Sequence, residues 1–78
     1  MSGRLPNHDF VEPMILKILK NSVIPMSILA INYRVNENVG RVINLNVIKN
    51  NLAFLVNHKK ISEKTNKENR VVYYNLIL

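Results

Sequence analysis

The sequence predicts an α+β fold in which a three-helix bundle is followed by a C-terminal β-hairpin. Apolar residues recur at helical spacing in residues 14–19 and again later in the chain, as they do on the buried face of a helix. From Lys60 onward the apolar period changes to two, which indicates strands, and a polar segment at 65–69 separates them. A chain of 78 residues builds one domain with one core. We expect a flexible polar tail at residues 1–8 and a folded domain over residues 9–78.

The first helix is expected to begin near Asp9, because Asp9 or Glu12 favours the positive end of the helix dipole. Pro13 is compatible only with the first turn, where its missing N–H would have no helical partner. Asn21 and Ser22 end the apolar pattern. The helix is therefore predicted to span about three turns.

A helix-turn-helix arrangement is predicted next. Residues 23–25 are expected to be extended, because the residue before Pro25 is disfavoured in helical angles. A short second helix is expected over residues 27–34. The turn at 35–38 follows, and Asn36 is the expected N-cap of the third helix.

Residues 37–57 contain more apolar side chains than one helical face needs. Two interpretations remain: one helix of about twenty residues that packs on two sides, or a break near residues 44–46 that gives two short helices. We favour the single helix, with a second subunit covering its other side. The second apolar stripe is either ordinary core or a homodimer interface, and with the N-terminal phenylalanine it comprises Phe10, Val39, Ile43, Val47 and Phe54. The same two interpretations apply to the C-terminal residues Leu76, Ile77 and Leu78.

The C-terminal residues alternate as the two strands of a hairpin do. We expect the hairpin to place one set of side chains on the helices, namely Val72, Tyr74 and Leu76. The net charge of the chain is +6, and residues from Arg41 onward carry seven basic and two acidic residues, or +5 of that total. This distribution favours a polyanionic partner for the C-terminal half.

Several short patterns follow one another from Asp9 onward. Residues 15–20 read ILKILK, and Leu29-Ala30 lies within residues 25–30. Leu52, Leu55 and Ile61 precede the hairpin, and Tyr74 and Leu76 lie in its returning strand. In these patterns the chain resembles the winged-helix domains of small bacterial and archaeal transcription regulators, including the metal-sensing and multidrug-repressor families, which show "ILxxL" in the first helix, "LA" in the next element and "Y.L" in the returning strand. The resemblance implies a winged helix whose hairpin is the wing. Residues 30–55 exceed the family pattern by about two helical turns, and Lys59 stands where a glycine often ends the recognition helix.

In helix-turn-helix proteins, the N-terminal part of the second helix of the motif meets base edges. Here that implies Asn38, Arg41 and Asn44 as DNA-binding residues, or Asn46, Lys49 and Asn50 if the helix begins later. An arginine side chain can form two hydrogen bonds with guanine, and an asparagine side chain can form two with adenine. A solvated helix face is the plainer interpretation of the same residues.

A second set of DNA-binding cations is expected at and near the hairpin: Lys59 and Lys60 where the helix ends, and Lys64, Lys67 and Arg70 on or beside the wing tip. Long cationic side chains at these points can reach phosphates or a minor groove. The alternative is a charged edge that discourages strand-to-strand aggregation.

Catalysis and metal binding are not expected. The chain has no cysteine, and His8 and His58 have no neighbours at metal-ligand spacing. Gly3 and Gly40 are the only glycines, so no glycine-rich phosphate loop exists. We expect no cofactor, no metal ion and no enzymatic activity, and the sequence shows no pocket for a small-molecule effector.

No apolar run approaches the roughly 18 residues of a membrane span, so a cytoplasmic protein without a membrane partner is expected.

The expected function is that of a transcriptional regulator that binds double-stranded DNA, specifically or semi-specifically, as a homodimer. A protein-interaction module is the main alternative, because winged helices also serve as docking domains. A single-strand or RNA binder is the third possibility, with Tyr73 and Tyr74 stacking on bases.

Overall fold

A computed structural model describes residues 9–77 of the chain, so the predicted tail at 1–8 lies outside the described residues. Three helices and three strands follow one another as α1 (Val11–Asn21), β1 (Met26–Ser27), α2 (Ile28–Val39), α3 (Leu45–Asn57), β2 (Ile61–Thr65) and β3 (Val72–Leu76). The strands form one antiparallel sheet in the order β1-β3-β2. The predicted α+β class, with a helical bundle and a C-terminal hairpin, is confirmed.

The core lies where the three helices pack on one another and on the sheet. Its members are entirely aliphatic or methionine side chains, and the most deeply buried are Val11, Ile15, Ile31, Val35, Ile48, Leu52, Leu55 and Ile61. Removing one such side chain from water contributes roughly 1.5–3 kcal/mol. Among residues 9–77 no polar or charged residue is buried, so the fold depends on apolar packing and backbone hydrogen bonds.

The first two helices begin close to their predicted positions. α1 starts at Val11, with Pro13 in its first turn and Glu12 at the positive end of its dipole. α2 starts after Ser27, whose Oγ accepts a hydrogen bond from the Ala30 N–H at 3.3 Å and caps the helix. Met26 and Ser27 also form the short strand β1, which the sequence did not predict.

The predicted single helix over residues 37–57 is wrong. α2 continues through the expected turn as far as Val39 and ends at Gly40, which has a left-handed φ of 81°. Glycine adopts this conformation without the steric cost that a Cβ brings. Residues 40–44 then form a loop, and α3 begins at Leu45.

The expected N-cap at Asn36 is wrong for the same reason. Asn36 lies within the last turns of α2, and Asn44 caps α3 by accepting a hydrogen bond from the Asn46 N–H at 2.7 Å. The two apolar stripes assigned to one helix therefore belong to two helices and the loop between them. The alternative of a break was closer to the structure, although the break lies at 40–44 and not at 44–46.

The hairpin pairs as an antiparallel ladder in which Ile61 is opposite Leu76 and Glu63 is opposite Tyr74. Tyr74 and Leu76 pack against the core as expected, and Val72 is half-buried. β1 extends the sheet on the other side of β3, where Met26 pairs with Tyr74. The helices therefore cover one face of the sheet, and the hairpin extends beyond them.

Candidate nucleic-acid interface

The solvent-exposed side of α3 carries a polar stripe. Ile48, Leu52 and Leu55 are buried in the core, and at 100° per residue the residues on the opposite side share one face. These exposed residues, here called the recognition stripe, are Asn46, Lys49, Asn50, Ala53 and Asn57. Because α3 begins at Leu45, the later of the two predicted registers applies, and Asn46, Lys49 and Asn50 occupy its first two turns.

Two asparagines of α2 hold the loop that leads into α3. The Asn36 Oδ1 accepts a hydrogen bond from the Ile43 N–H at 2.7 Å, and the Asn32 Nδ2 donates to the Ile43 carbonyl at 3.1 Å. The Asn36 Nδ2 also donates to the Asn32 Oδ1 at 3.1 Å. Asn32 and Asn36, here called the asparagine clamp, thus hydrogen-bond both the N–H and the carbonyl group of Ile43. The clamp therefore fixes where α3 starts relative to α2.

Three predicted DNA-binding residues precede α3, and they differ in whether their side chains are engaged in the fold. Asn38 is exposed in the last turn of α2, and Arg41 is exposed in the loop. The side-chain oxygen of Asn44 caps α3. A base contact that used this oxygen would cost the helix its cap, worth about 1 kcal/mol.

The C-terminal end of α3 reverses the chain within three residues. The Lys60 N–H donates to the Leu55 carbonyl at 2.9 Å and the Lys59 N–H donates to the Val56 carbonyl at 3.0 Å, which is a Schellman motif. Lys59 takes the left-handed position with φ of 58°, where the winged-helix families that the sequence resembles often have glycine. β2 follows directly after this reversal and packs on α3.

The wing tip, residues 66–71, is ordered by the side chain of Asn66. Its Oδ1 accepts hydrogen bonds from the N–H groups of Glu68 at 2.8 Å and Asn69 at 3.2 Å. The backbone of Asn66 also bonds to Val71 and Arg70, both at 2.8 Å. Arg70 has a left-handed φ of 61°, which closes the turn.

A second asparagine completes the wing tip. The Asn69 Oδ1 accepts from the Val71 N–H at 2.9 Å, and its Nδ2 donates to the Tyr73 hydroxyl at 3.2 Å. The predicted wing cations are therefore exposed on and beside a turn with defined backbone geometry, and they are Lys64, Lys67 and Arg70. Sequence reasoning did not assign these two asparagines a role, although two of them three residues apart in a polar tip are a typical signal for side-chain-stabilised turns.

Lys59 and Lys60 lie at the base of the hairpin and not near its tip. The Lys60 carbonyl accepts from the Ile77 N–H at 3.1 Å, which ties the base together. Together with Lys17 and Lys20 of α1 they line a groove of about 610 Å³. The structure thus separates the predicted hairpin cations into two groups at opposite ends of β2.

Most of the residues predicted for a homodimer interface are buried in the core of the protomer or pack against it. Ile43 is 3% exposed and belongs to the core, and Phe10, Val39 and Val47 pack against that core while partly exposed. Phe54 is 46% exposed, with its ring edge-on to His58 at a centroid distance of 4.0 Å. Of the five, Phe54 offers the largest apolar area for a second copy.

Burial raises the pKa of the Tyr74 hydroxyl above its ordinary value of 10.0, and the negative charge of Glu63 opposite it on β2 contributes to a smaller extent.

In residues 9–77, no three His, Cys, Asp or Glu side chains come together as a metal site would require. No helix in the same range is both long and apolar enough to cross a membrane.

The domain is similar to the solved structure of RosR from H. salinarum. The two superpose with a TM-score of 0.76 at 24% sequence identity, over 97% of this chain and 64% of RosR. This chain thus spans a little under two thirds of RosR's length. No protein-family model matches the sequence, and no curated protein matches it significantly. The likeness, together with the order of helices and strands, identifies the fold as a winged helix.

Proposed function

We propose that this winged-helix protein binds double-stranded DNA and regulates transcription as a homodimer. The observation that carries the proposal is an exposed stripe of asparagine and lysine on α3, next to a hairpin whose exposed tip is cationic. The net charge of +6 supports a polyanionic partner.

The shape of the domain supports major-groove docking of α3. A helix of 13 residues is about 20 Å long, and the major groove is about 12 Å wide and admits a helix. Because β2 packs on α3, the hairpin lies beside that helix. Bases would then meet the first two turns of the recognition stripe while flanking phosphates meet the wing.

Each proposed contact has a chemical basis. Asn46 and Asn50 offer the amide pair that matches adenine N6 and N7, and Lys49 matches guanine O6 or N7. Lys64, Lys67 and Arg70 supply charge to phosphates without reading sequence. Arg41 and Asn38 flank the stripe and would contact the backbone.

The first test is the salt dependence of duplex binding. Fluorescence anisotropy with random duplex at about 50 and about 200 mM salt should show affinity falling by at least about tenfold. The Lys64→Ala/Lys67→Ala/Arg70→Ala variant should bind all duplexes more weakly. Its log–log salt slope should be lower by about one unit for each phosphate that its side chains no longer reach.

A matched control removes three cations of the groove between α1 and the base of the hairpin, as Lys17→Ala/Lys20→Ala/Lys60→Ala. It carries the same net charge as the wing variant, and its duplex affinity should stay within about twofold to threefold of the parent's. Absence of duplex binding at low salt would refute the proposal, and preference for unpaired DNA or RNA in the same titration would favour a single-strand binder.

The second test addresses base readout. Once a preferred duplex has been selected from a random pool, Asn50→Ala should cost about 1–3 kcal/mol on that duplex and much less on random sequence. Asn57→Ala, on the same stripe but at the far end of α3, is the control and should change neither. Equal weakening on both duplexes for Asn50→Ala would remove it from base recognition.

A further inference from the structure

The base of the hairpin and the outer side of α1 form a groove that duplex binding leaves unused. Lys17 and Lys20 line one side and Lys59 and Lys60 line the other, and all four are exposed. Its floor is apolar, with Leu16 and Leu76 half-buried and Ile77 47% exposed. None of the described residues that line this basic groove is acidic.

The groove lies at the opposite end of the hairpin from the wing tip. Lys60 immediately precedes β2, and five strand residues separate it from the turn, which corresponds to roughly 13–17 Å at about 3.3 Å per residue. The four lysines therefore lie away from the wing tip, and none of them belongs to the recognition stripe.

The cations of the basic groove are held by rigid backbone. Lys17 and Lys20 are one turn apart on α1, and the Schellman hydrogen bonds fix Lys59 and Lys60. The Ile77 N–H bonds to the Lys60 carbonyl, so floor and wall move together. The described residues that line the groove include four cations and no acid, so the groove attracts an anionic group.

We infer that the basic groove is a docking site for an acidic amphipathic segment of another protein. The lysines match its carboxylates, and the floor of Leu16, Leu76 and Ile77 matches its apolar side chains. Nucleic acid fits this surface less well, because its backbone offers nothing to cover an apolar floor. Among the described lining residues, no aromatic ring is present for stacking on bases.

The 78 residues of the sequence contain no such segment, either for this copy or for a second one. Residues 1–8 contain Arg4 and no acidic residue. The five acidic residues of the chain are scattered, and a second copy also carries a net charge of +6. Charge complementarity thus assigns the groove to a different, acidic protein.

The test uses the full chain and a labelled helix-forming peptide of about five turns, with leucines along one face and glutamates beside them. Anisotropy titrations should show binding, and Lys17→Glu/Lys20→Glu should weaken it by at least about tenfold. The matched variant Lys64→Glu/Lys67→Glu changes the net charge by the same amount and should alter peptide affinity by less than about twofold. For duplex DNA the opposite is expected: Lys64→Glu/Lys67→Glu should weaken binding more than Lys17→Glu/Lys20→Glu.

Two further measurements address the apolar floor. Ile77→Ser leaves the charge unchanged and should weaken peptide binding by about threefold to tenfold. A peptide of identical composition, scrambled to remove the apolar face, should also bind the parent protein more weakly. Circular dichroism and urea unfolding of each variant establish that the fold is retained.

The outcomes separate this inference from the proposed function. Equal weakening of peptide binding in both charge-reversal variants, or equal binding of the scrambled peptide, would reduce the groove to non-specific charge attraction and overturn the inference. Duplex binding weakened in Lys17→Glu/Lys20→Glu as much as in the wing variant would make the groove a nucleic-acid surface instead. Failure of the parent protein to bind duplex would refute the proposed function and leave the peptide result standing.

Discussion

Asparagine side chains determine much of the local geometry of this protein. The chain contains 13 asparagines, and within residues 9–77 the side chains of seven of them make hydrogen bonds. These bonds fall mainly where the chain turns, since the short amide can replace a missing backbone partner. The high asparagine content is therefore a structural feature, and the exposed asparagines of the recognition stripe remain available for a ligand.

Asn36→Ala should lower the free energy of unfolding by about 1–3 kcal/mol, because it leaves the part-buried Ile43 N–H without its acceptor. Urea denaturation gives the value. Asn38→Ala, two residues later on the exposed side of α2, is the control and should change stability by less than about 0.5 kcal/mol. Equal effects of the two substitutions would mean that the asparagine clamp contributes nothing specific.

Lys59→Gly should raise the free energy of unfolding by about 0.5–1 kcal/mol. A left-handed φ of 58° costs a lysine about 1–2 kcal/mol that glycine avoids, and part of the gain is offset by the greater freedom of glycine in the unfolded chain. Lys59→Ala removes the same charge while keeping the strained angle, so it should leave stability nearly unchanged. If Lys59→Ala stabilised the protein as much as Lys59→Gly, charge repulsion and not the backbone angle would be the cause.

At the scale of elements, the division between α2 and α3 shows where periodicity stops being informative. Val39 ends one helix, Ile43 lies in the loop and Val47 is in the next helix, yet their spacing of four matches a single helix face. The chain breaks there because Gly40 adopts a left-handed angle and Asn36 bonds to the Ile43 N–H. The first signal is visible in the sequence, whereas the second depends on a folded contact.

The sheet provides a pH-dependent prediction through Tyr74, whose pKa is raised chiefly by burial. Below pH 10 the hydroxyl is protonated in both the folded and the unfolded chain, so its full contribution to stability is present. Above that pH the unfolded chain loses the proton first, and the free energy of unfolding falls until the pH passes the folded-state pKa.

Urea unfolding on either side of pH 10 should therefore show a steeper loss of stability in the parent protein than in Tyr74→Phe. Glu63→Gln removes the smaller of the two causes and should give an intermediate slope. Identical slopes for the parent and Tyr74→Phe would show that Tyr74 ionises alike in both states.

At the scale of the whole molecule, the basic residues divide into surfaces at opposite ends of the hairpin. The wing tip lies at one end, and the basic groove lies at the other. The residues proposed to contact DNA and the residues that line the basic groove are different, so the two proposals can be tested independently of each other.

The proposed homodimer leads to a prediction about Phe54, an exposed aromatic member of the predicted interface. Phe54→Ser should raise the dimer dissociation constant by at least about tenfold, since exposed aromatic anchors carry much of the energy of such interfaces. Sedimentation velocity over a range of concentrations measures this. Leu29→Ser, which removes a 68% exposed apolar side chain from α2, should leave the dimer unchanged, and a monomeric parent protein would refute the dimer.

The features that depend on neighbouring residues could be predicted from the sequence: the helical period of α1, the alternation of the hairpin and the excess of positive charge. The features that depend on residues far apart required the folded structure. The strand β1 exists because Met26 reaches Tyr74, α3 starts where Asn36 holds Ile43, and the lysines of α1 and of the hairpin base meet in one groove. Periodicity and capping act within a few residues, whereas strand pairing and the clustering of charges follow from packing, which no local pattern encodes.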